Sequence, residues 1–246
     1  MSKAEKISKA PRIIIVIICL LMMIASAFTS YAYSLYHVPA VTESELQACG
    51  IDNASKLLIV AHPDDDILWG GAHLYEKGYF VVVVTNKDNA KRSREFKNVL
   101  EASGNDGIIL GFPDKSFGKK DSWSHNKDGI KADLDTIINY KHWDLIVTHN
   151  KDGEYGHIHH KMTHGFVRDI YEENKYKLNT KLYFFGNYYN KDEIGDVADS
   201  MERISPEALE FKENMLKLYP SQKNTIAMFD HMNPFEEWQL YDGTNG

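Results

Sequence analysis

At 246 residues the chain is long enough to bury a full core, and 43% hydrophobic with 26% charged residues is ordinary globular content. A formal net charge of −7, with no basic stripe anywhere, excludes a nucleic-acid binder. The two cysteines, Cys19 and Cys49, exclude a cysteine-based metal centre, and Cys19 sits in an apolar run that argues against an intradomain disulfide.

The first element is that apolar run. Lys3, Lys6, Lys9 and Arg12 stand against Glu5, and residues 13–28 follow with Ser26 as the one clearly polar member. A basic n-region before an apolar h-region is a membrane-targeting pattern. Ala25-Ser26-Ala27 fits a small-x-small cleavage signal, which would make the segment a removable signal peptide and the product secreted. Continuation through Tyr33 gives about 20 residues, enough to stay in a bilayer as an anchor, with Tyr31, Tyr33 and Tyr36 suited to its interface. The anchor is the favoured reading. Basic residues precede the segment and none follows until Lys56, so the rest of the chain is expected on the extracytoplasmic or lumenal side. The expected organisation is a signal-anchor or signal peptide over 1–33, a linker and lead-in over 34–54, and one domain over 55–246.

Within that domain, strand-like and helix-like stretches alternate. LLIVA at 57–61 is a buried strand, followed by a helix over about 67–77. YFVVVVT at 79–85 is a continuous apolar strand of the kind covered on both faces. A polar helix over 89–103 stops at Gly104, and GIILGF at 107–112 is a third strand. Residues 115–127 are expected as a loop with Trp123 and His125 exposed. A helix over 131–140, a strand over 144–148, a helix from near His157 to Asn174 and a strand over 181–185 come next. Ser205 caps a late helix over 206–219 with Pro206 in its first turn. This alternation predicts an α/β fold: a Rossmann-like, three-layer α/β/α arrangement around a mainly parallel sheet. A glycine-rich dinucleotide loop is absent, because His62-Pro63-Asp64 lies where it would be.

Two strand ends carry the chemistry. The first strand breaks into His62-Pro63-Asp64-Asp65-Asp66. One aspartate there would be a helix cap, but three after a histidine cannot all cap one helix, and buried charges persist only when paired or bound to a cation. The strand at 144–148 leads into GEYGHIHHKMTH at 153–164. On a helical wheel His157, His160 and His164 share a face and His159 points nearly opposite. With His62 and an aspartate from the first tip, a histidine of the second gives an N,N,O set, which suits catalytic zinc with one open position.

The motifs now in hand resemble a known family. AHPDDD at 61–66 is similar to the AHPDD(E) signature of the LmbE-like/PIG-L family of zinc-dependent N-acetylglucosaminyl deacetylases, and GEYGHIHH at 153–160 to its G-x-Y-G-H-x-D-H segment. Arg92-Ser93-Arg94-Glu95 resembles its R-x-x-E helix start, Leu110 to Asp114 its LG-x-P-D strand end, and Pro220-Ser221-Gln222 a late P-S-Q element. The resemblance spans about 55–225. It implies His62, Asp65 and His160 as ligands of zinc or another divalent transition metal, with Asp64 as general base. It further implies that His157 stabilises the oxyanion or protonates the leaving amine, and that Arg92 contacts substrate, Arg94 being close enough to compete; on chemical grounds the oxyanion donor is His157 or Tyr155. The implied partner is an N-acetylated sugar or glycoconjugate.

Two positions depart from the pattern. The glutamate after the paired aspartates is Asp66, and the aspartate thought to orient the catalytic histidine is His159. Asp152, Glu154 or Asp114 stand as substitutes for the latter. The change also keeps open a glycan-binding protein that has a zinc site but no turnover, and a zinc amidase for non-sugar N-acyl groups stays open as well. Trp123, His125, Tyr188 and Tyr189 are candidates for stacking on a sugar.

Overall fold

The computed structural model describes residues 3–244, with side chains from Pro11 onward. The chain forms two compact units, Met1–Val38 and Pro39–Gly246. The first is a single helix, α1 (Lys3–Tyr36), and its stretch Pro11–Tyr36 is long and apolar enough to cross a membrane.

The second unit opens on α2 (Glu43–Ala48), inside the stretch read as a lead-in. A capping box starts it: Thr42 Oγ1 accepts from the Glu45 amide and the Glu45 carboxylate accepts from the Thr42 amide. The alternation then follows as β1 (Lys56–Val60), α3 (Asp65–Leu74), β2 (Tyr79–Thr85), α4 (Ala90–Ser103) and β3 (Asp106–Phe112). A short hairpin, β4 (Lys115–Ser116) and β5 (Lys119–Lys120), occupies the expected loop. After it come α5 (Lys127–Ile138), β6 (Leu145–Thr148), α6 (Gly153–Gly156), α7 (Ile158–Leu178) and β7 (Lys181–Phe185). The chain closes with α8 (Ile194–Val197), α9 (Pro206–Leu216), α10 (Lys223–Phe229) and β8 (Trp238–Leu240). The predicted Ser205 cap accepts from Ala208 N and Gly104 ends α4 at φ 68°, while Asn89, expected as the first helical residue, is the N-cap of α4 and accepts from Arg92 N.

The sheet runs β3-β2-β1-β6-β7-β8, parallel except for β8 on its edge. Right-handed crossovers toward β3 put α3 and α4 on one face, and those toward β7 put α5 and α7 on the other. Leu57 to Val60 and Phe80 to Val84 are wholly buried, as strands covered on both faces must be. Strand order reverses at the β1/β6 pair, where Ile59 lies opposite Thr148. Ligand sites in open α/β sheets form at the carboxyl ends of the strands where this reversal occurs. Here those ends are His62-Pro63 and His149-Asn150.

One expectation for the 115–127 segment fails. Trp123 is fully buried rather than exposed: its indole N–H donates to the Pro113 carbonyl at 2.8 Å, and its ring lies flat on His159, 4.1 Å between centroids. The partner that covers it is 36 residues further on, and a local polar composition carries no trace of that contact. His125 is exposed, as expected.

Candidate metal centre

The turn after β1 places its three carboxylates in different directions. Asp64 has φ 113°, ψ −32°, a conformation rare for a non-glycine residue, and it makes no side-chain cap bond to α3. Asp66 turns back into the fold, accepting from the Asp64 amide at 3.0 Å and from the Tyr219 hydroxyl at 2.9 and 3.0 Å. Burial pushes its carboxyl up to about 6. Asp66 is thus a brace that holds the turn. Asp65 Oδ2 accepts from the His62 amide at 2.9 Å and faces His62 Nδ1 at 3.1 Å and His160 Nε2 at 3.2 Å. Asp64 Oδ1 is held at 2.7 Å by Arg92 Nη2, which also bonds the Pro63 carbonyl. Arg92 therefore lies buried against the base candidate, and Arg94 lies apart from it, on the border of a different cavity. Ser221 joins this shell by donating to the Glu95 carboxylate, so the R-x-x-E and P-S-Q elements meet one another.

The second tip corrects the helical-wheel reading. His157 is the N-cap of α7, in extended conformation, so the 100° step per residue begins only at Ile158. His157, His160 and His62 bring ligand atoms within 4.8 Å of one another, but His164 turns away to donate Nδ1–H to the His149 carbonyl at 2.9 Å. His159, expected to point nearly opposite, faces the cluster with Nδ1 3.0 Å from His62 Nε2. Tyr155 is exposed beside His157 and His160, with centroids 5.8 and 5.5 Å away.

Two buried residues complete the site: His149, which the sequence reading passed over, and Glu154, which it named as one of three substitutes for the missing aspartate. His149 Nε2 accepts from the Ala61 amide at 2.9 Å, so its Nδ1 carries the hydrogen given to Glu154 Oε2 at 3.0 Å. The same oxygen receives His160 Nδ1–H at 2.5 Å. Glu154, at φ 53°, thus fixes His160 with Nε2 aimed at the centre. The signal for His149 was available: it follows β6 just as Ala61-His62 follows β1.

Electrostatics point to a cation here. Asp65 Oδ2 and His160 Nε2 are both acceptors once His160 Nδ1–H is committed to Glu154. His160 Nε2, wholly buried, has no hydrogen-bond partner. Without an ion only a proton can reconcile them. Burial opposes that proton, yet Asp65 and Glu154 outweigh it and hold His160 up to about 10. Burial likewise pushes Asp65 up, and His160 and His62 more than offset it, leaving its carboxyl well below the usual range. A divalent ion would take the proton's place, and the 3.1 and 3.2 Å separations match the roughly 3.3 Å expected between tetrahedral ligands at about 2.0–2.1 Å from zinc. Among the described residues, ligand atoms also converge in two other sets, Asp65 with His149 and His160, and His62 with Asp114 and His159. The expected trio His62, Asp65 and His160 is not itself one of these sets, and its members are divided among them. Burial, then Asp65, pushes the Asp64 carboxyl well above its ordinary range. Burial, then His62 and His160, lowers His157 to about 2.

Residues 57–171 match the model of the PIG-L family, described as GlcNAc-PI de-N-acetylase. That stretch is a PIG-L domain. It takes in both strand tips, and the family supports a deacetylase. An uncharacterised protein of Acanthamoeba polyphaga mimivirus is 26% identical over 210 residues, 76% of this chain and 88% of that protein. A deacetylase from the biosynthesis pathway of teicoplanin shares the fold at a TM-score of 0.57 and 16% identity, over 78% of this chain and all of that one. The A40926 pseudoaglycone deacetylase Dbv21 shares it at 0.54 and 16%, over 77% and 96%. The PIG-L domain of this chain thus has the α/β/α architecture of LmbE-like deacetylases.

Proposed function

We propose that the protein is a zinc-dependent deacetylase that hydrolyses the N-acetyl group of an N-acetylglucosamine-containing glycan or glycoconjugate. The observation that carries this reading is the bare, buried His160 Nε2 set 3.2 Å from Asp65 Oδ2 inside a PIG-L domain. His62, Asp65 and His160 would hold the ion. Bound zinc lowers the pKa of water to about 7 and polarises an amide carbonyl.

The remaining steps belong to the chain. Arg92 occupies Oδ1 of Asp64, so Oδ2 is the oxygen left to take a proton from the attacking water. The raised pKa of that carboxyl makes it a better base than an exposed aspartate. His157 Nδ1 accepts from the His159 amide at 3.3 Å, which puts its hydrogen on Nε2. With its pKa near 2 the ring is a neutral donor, fit to stabilise developing negative charge on the substrate oxygen. Although the residue is partly exposed, desolvation by its neighbours, then the Asp65 and Asp64 charges, keeps the Tyr155 phenol above its ordinary range and protonated, as a second donor. Buried Trp69 and Phe229 and half-buried Tyr188 back the exposed Tyr155 ring at centroid distances of 6.5, 4.7 and 6.3 Å, which leaves Tyr155 as the ring suited to a sugar face.

Incubating the purified protein with a panel of N-acetylated glycans should release acetate, with loss on chelation and recovery on adding zinc. Metal binding with no acetate from any glycan would favour a glycan-binding protein. Release from non-sugar N-acyl compounds alone would favour an amidase. For placement, we propose that α1 anchors the protein with the PIG-L domain extracytoplasmic or lumenal. A C-terminal reporter should then be active on that side, and cytosolic activity would overturn the assignment.

A further inference from the structure

On the zinc reading above, we infer that His159 is a positioning residue for the metal ligand His62: it takes the Nε2–H of His62 and so turns the Nδ1 lone pair toward the ion. The bonding requires this assignment of hydrogens. His159 Nε2 lies 2.7 Å from the Asp121 carbonyl oxygen, which can only accept, so Nε2 bears the hydrogen. The ring is wholly buried with no carboxylate within hydrogen-bond distance, so it is neutral and Nδ1 is an acceptor. That acceptor sits 3.0 Å from His62 Nε2, and the hydrogen between them therefore belongs to His62.

The other nitrogen of His62 is then a lone pair, 3.1 Å from Asp65 Oδ2 and on the same oxygen that His160 Nε2 faces. Two imidazole lone pairs facing one carboxylate oxygen are repulsive without a cation between them. Metal-bound histidines ordinarily give their second N–H to a carboxylate or carbonyl. Asp114, the carboxylate at hand, is 3.6 Å from His62 Nε2 and 3.8 Å from His159 Nδ1, beyond hydrogen-bond reach of either. The imidazole is the partner instead, and it cannot swing away. Trp123 lies parallel to it within 2° and is itself tied to Pro113 and Asp121. The unusual residue at 159 thus belongs to His62, while His157 is oriented by a backbone amide.

Three variants of the full-length protein test this: His159→Phe, His159→Asn and His62→Ala. Phenylalanine keeps a flat ring on Trp123 but offers no acceptor; asparagine loses the ring but sets Oδ1 where Nδ1 was. Zinc affinity, measured against a chromophoric chelator, should fall roughly 10–100-fold in the Phe variant and recover most of that in the Asn variant. The d–d bands of the cobalt-substituted protein should move in the Phe variant and return in the Asn variant. If His159 only fills space the order reverses, with Phe like the unaltered protein and Asn impaired, and the inference falls. Equal zinc affinity in the unaltered protein and His62→Ala would sink the zinc reading itself, and this inference with it.

Discussion

Replacing Asp64 by Asn is expected to leave the metal bound and lower turnover roughly 10²–10⁴-fold, the usual worth of a positioned base. The amide keeps the shape of the carboxylate and can still meet Arg92 through its oxygen, but it cannot accept the proton of water. Asp65→Asn should act on a different quantity. Its Oδ2 faces two imidazole nitrogens, so losing the anion weakens metal binding itself. Metal content by mass spectrometry and acetate release at rising zinc separate the two. Excess zinc should restore part of the activity of the Asp65 variant and none in the Asp64 variant. The reverse pattern would exchange the two roles, and no effect from either change would end the hydrolase reading.

Glu236→Gln is expected to destabilise the fold by about 3–5 kcal/mol, because it strands a buried ammonium. The side chains of Lys212 and Glu236 are each 1% exposed and meet at 2.8 Å. Glu236 also accepts from the Ala72 amide at 3.0 Å, from the His73 amide at 3.0 Å and from His73 Nδ1 at 2.8 Å, clamping the end of α3 to α9 and the approach to β8. Burial raises the Glu236 carboxyl, but Lys212 and His73 more than offset it and bring it down to about 2. A depressed folded-state pKa means a contribution fully present above the unfolded value, near 4.5, and lost as pH falls toward 2. Urea unfolding should therefore give a gap between the unaltered protein and the variant that narrows over that window. Lys212→Met combined with Glu236→Leu should cost less than either single change. A gap that stays constant from pH 5 to 2.5 would disprove the charged clamp.

Much of the fold was legible because its signals are local. Continuous apolar runs mark β1 and β2, Asn89 and Ser205 mark helix starts, and Gly104 marks a stop. The turn from His62 to Asp66 was legible as a site because no local role accounts for a histidine and three carboxylates together. The rest depends on contacts between distant residues. Trp123 is buried by His159, and β8 is three residues of antiparallel edge too short for any periodicity. The inward turn of His159 follows from His157 being a cap rather than a helical residue. Asp66 reads as one more acid in the turn until Tyr219, 153 residues away, gives it a partner. The family resemblance assigned roles to residues but could not say what had replaced the missing aspartate, since that answer lies in the side-chain packing.

His62 and Asp65 follow one central strand and His160 follows its neighbour, so the prospective ligands come from segments nearly a hundred positions apart. An ion held among them would be a cross-link between two remote stretches of chain, one that forms only when β1 and β6 lie side by side. Folding and loading are then a single linked equilibrium. At a free ion concentration a hundred times its dissociation constant, the native state would gain about 2.7 kcal/mol. A chelator would act on this protein as a mild denaturant, and scarcity of the ion would lower the amount of folded protein as well as its activity.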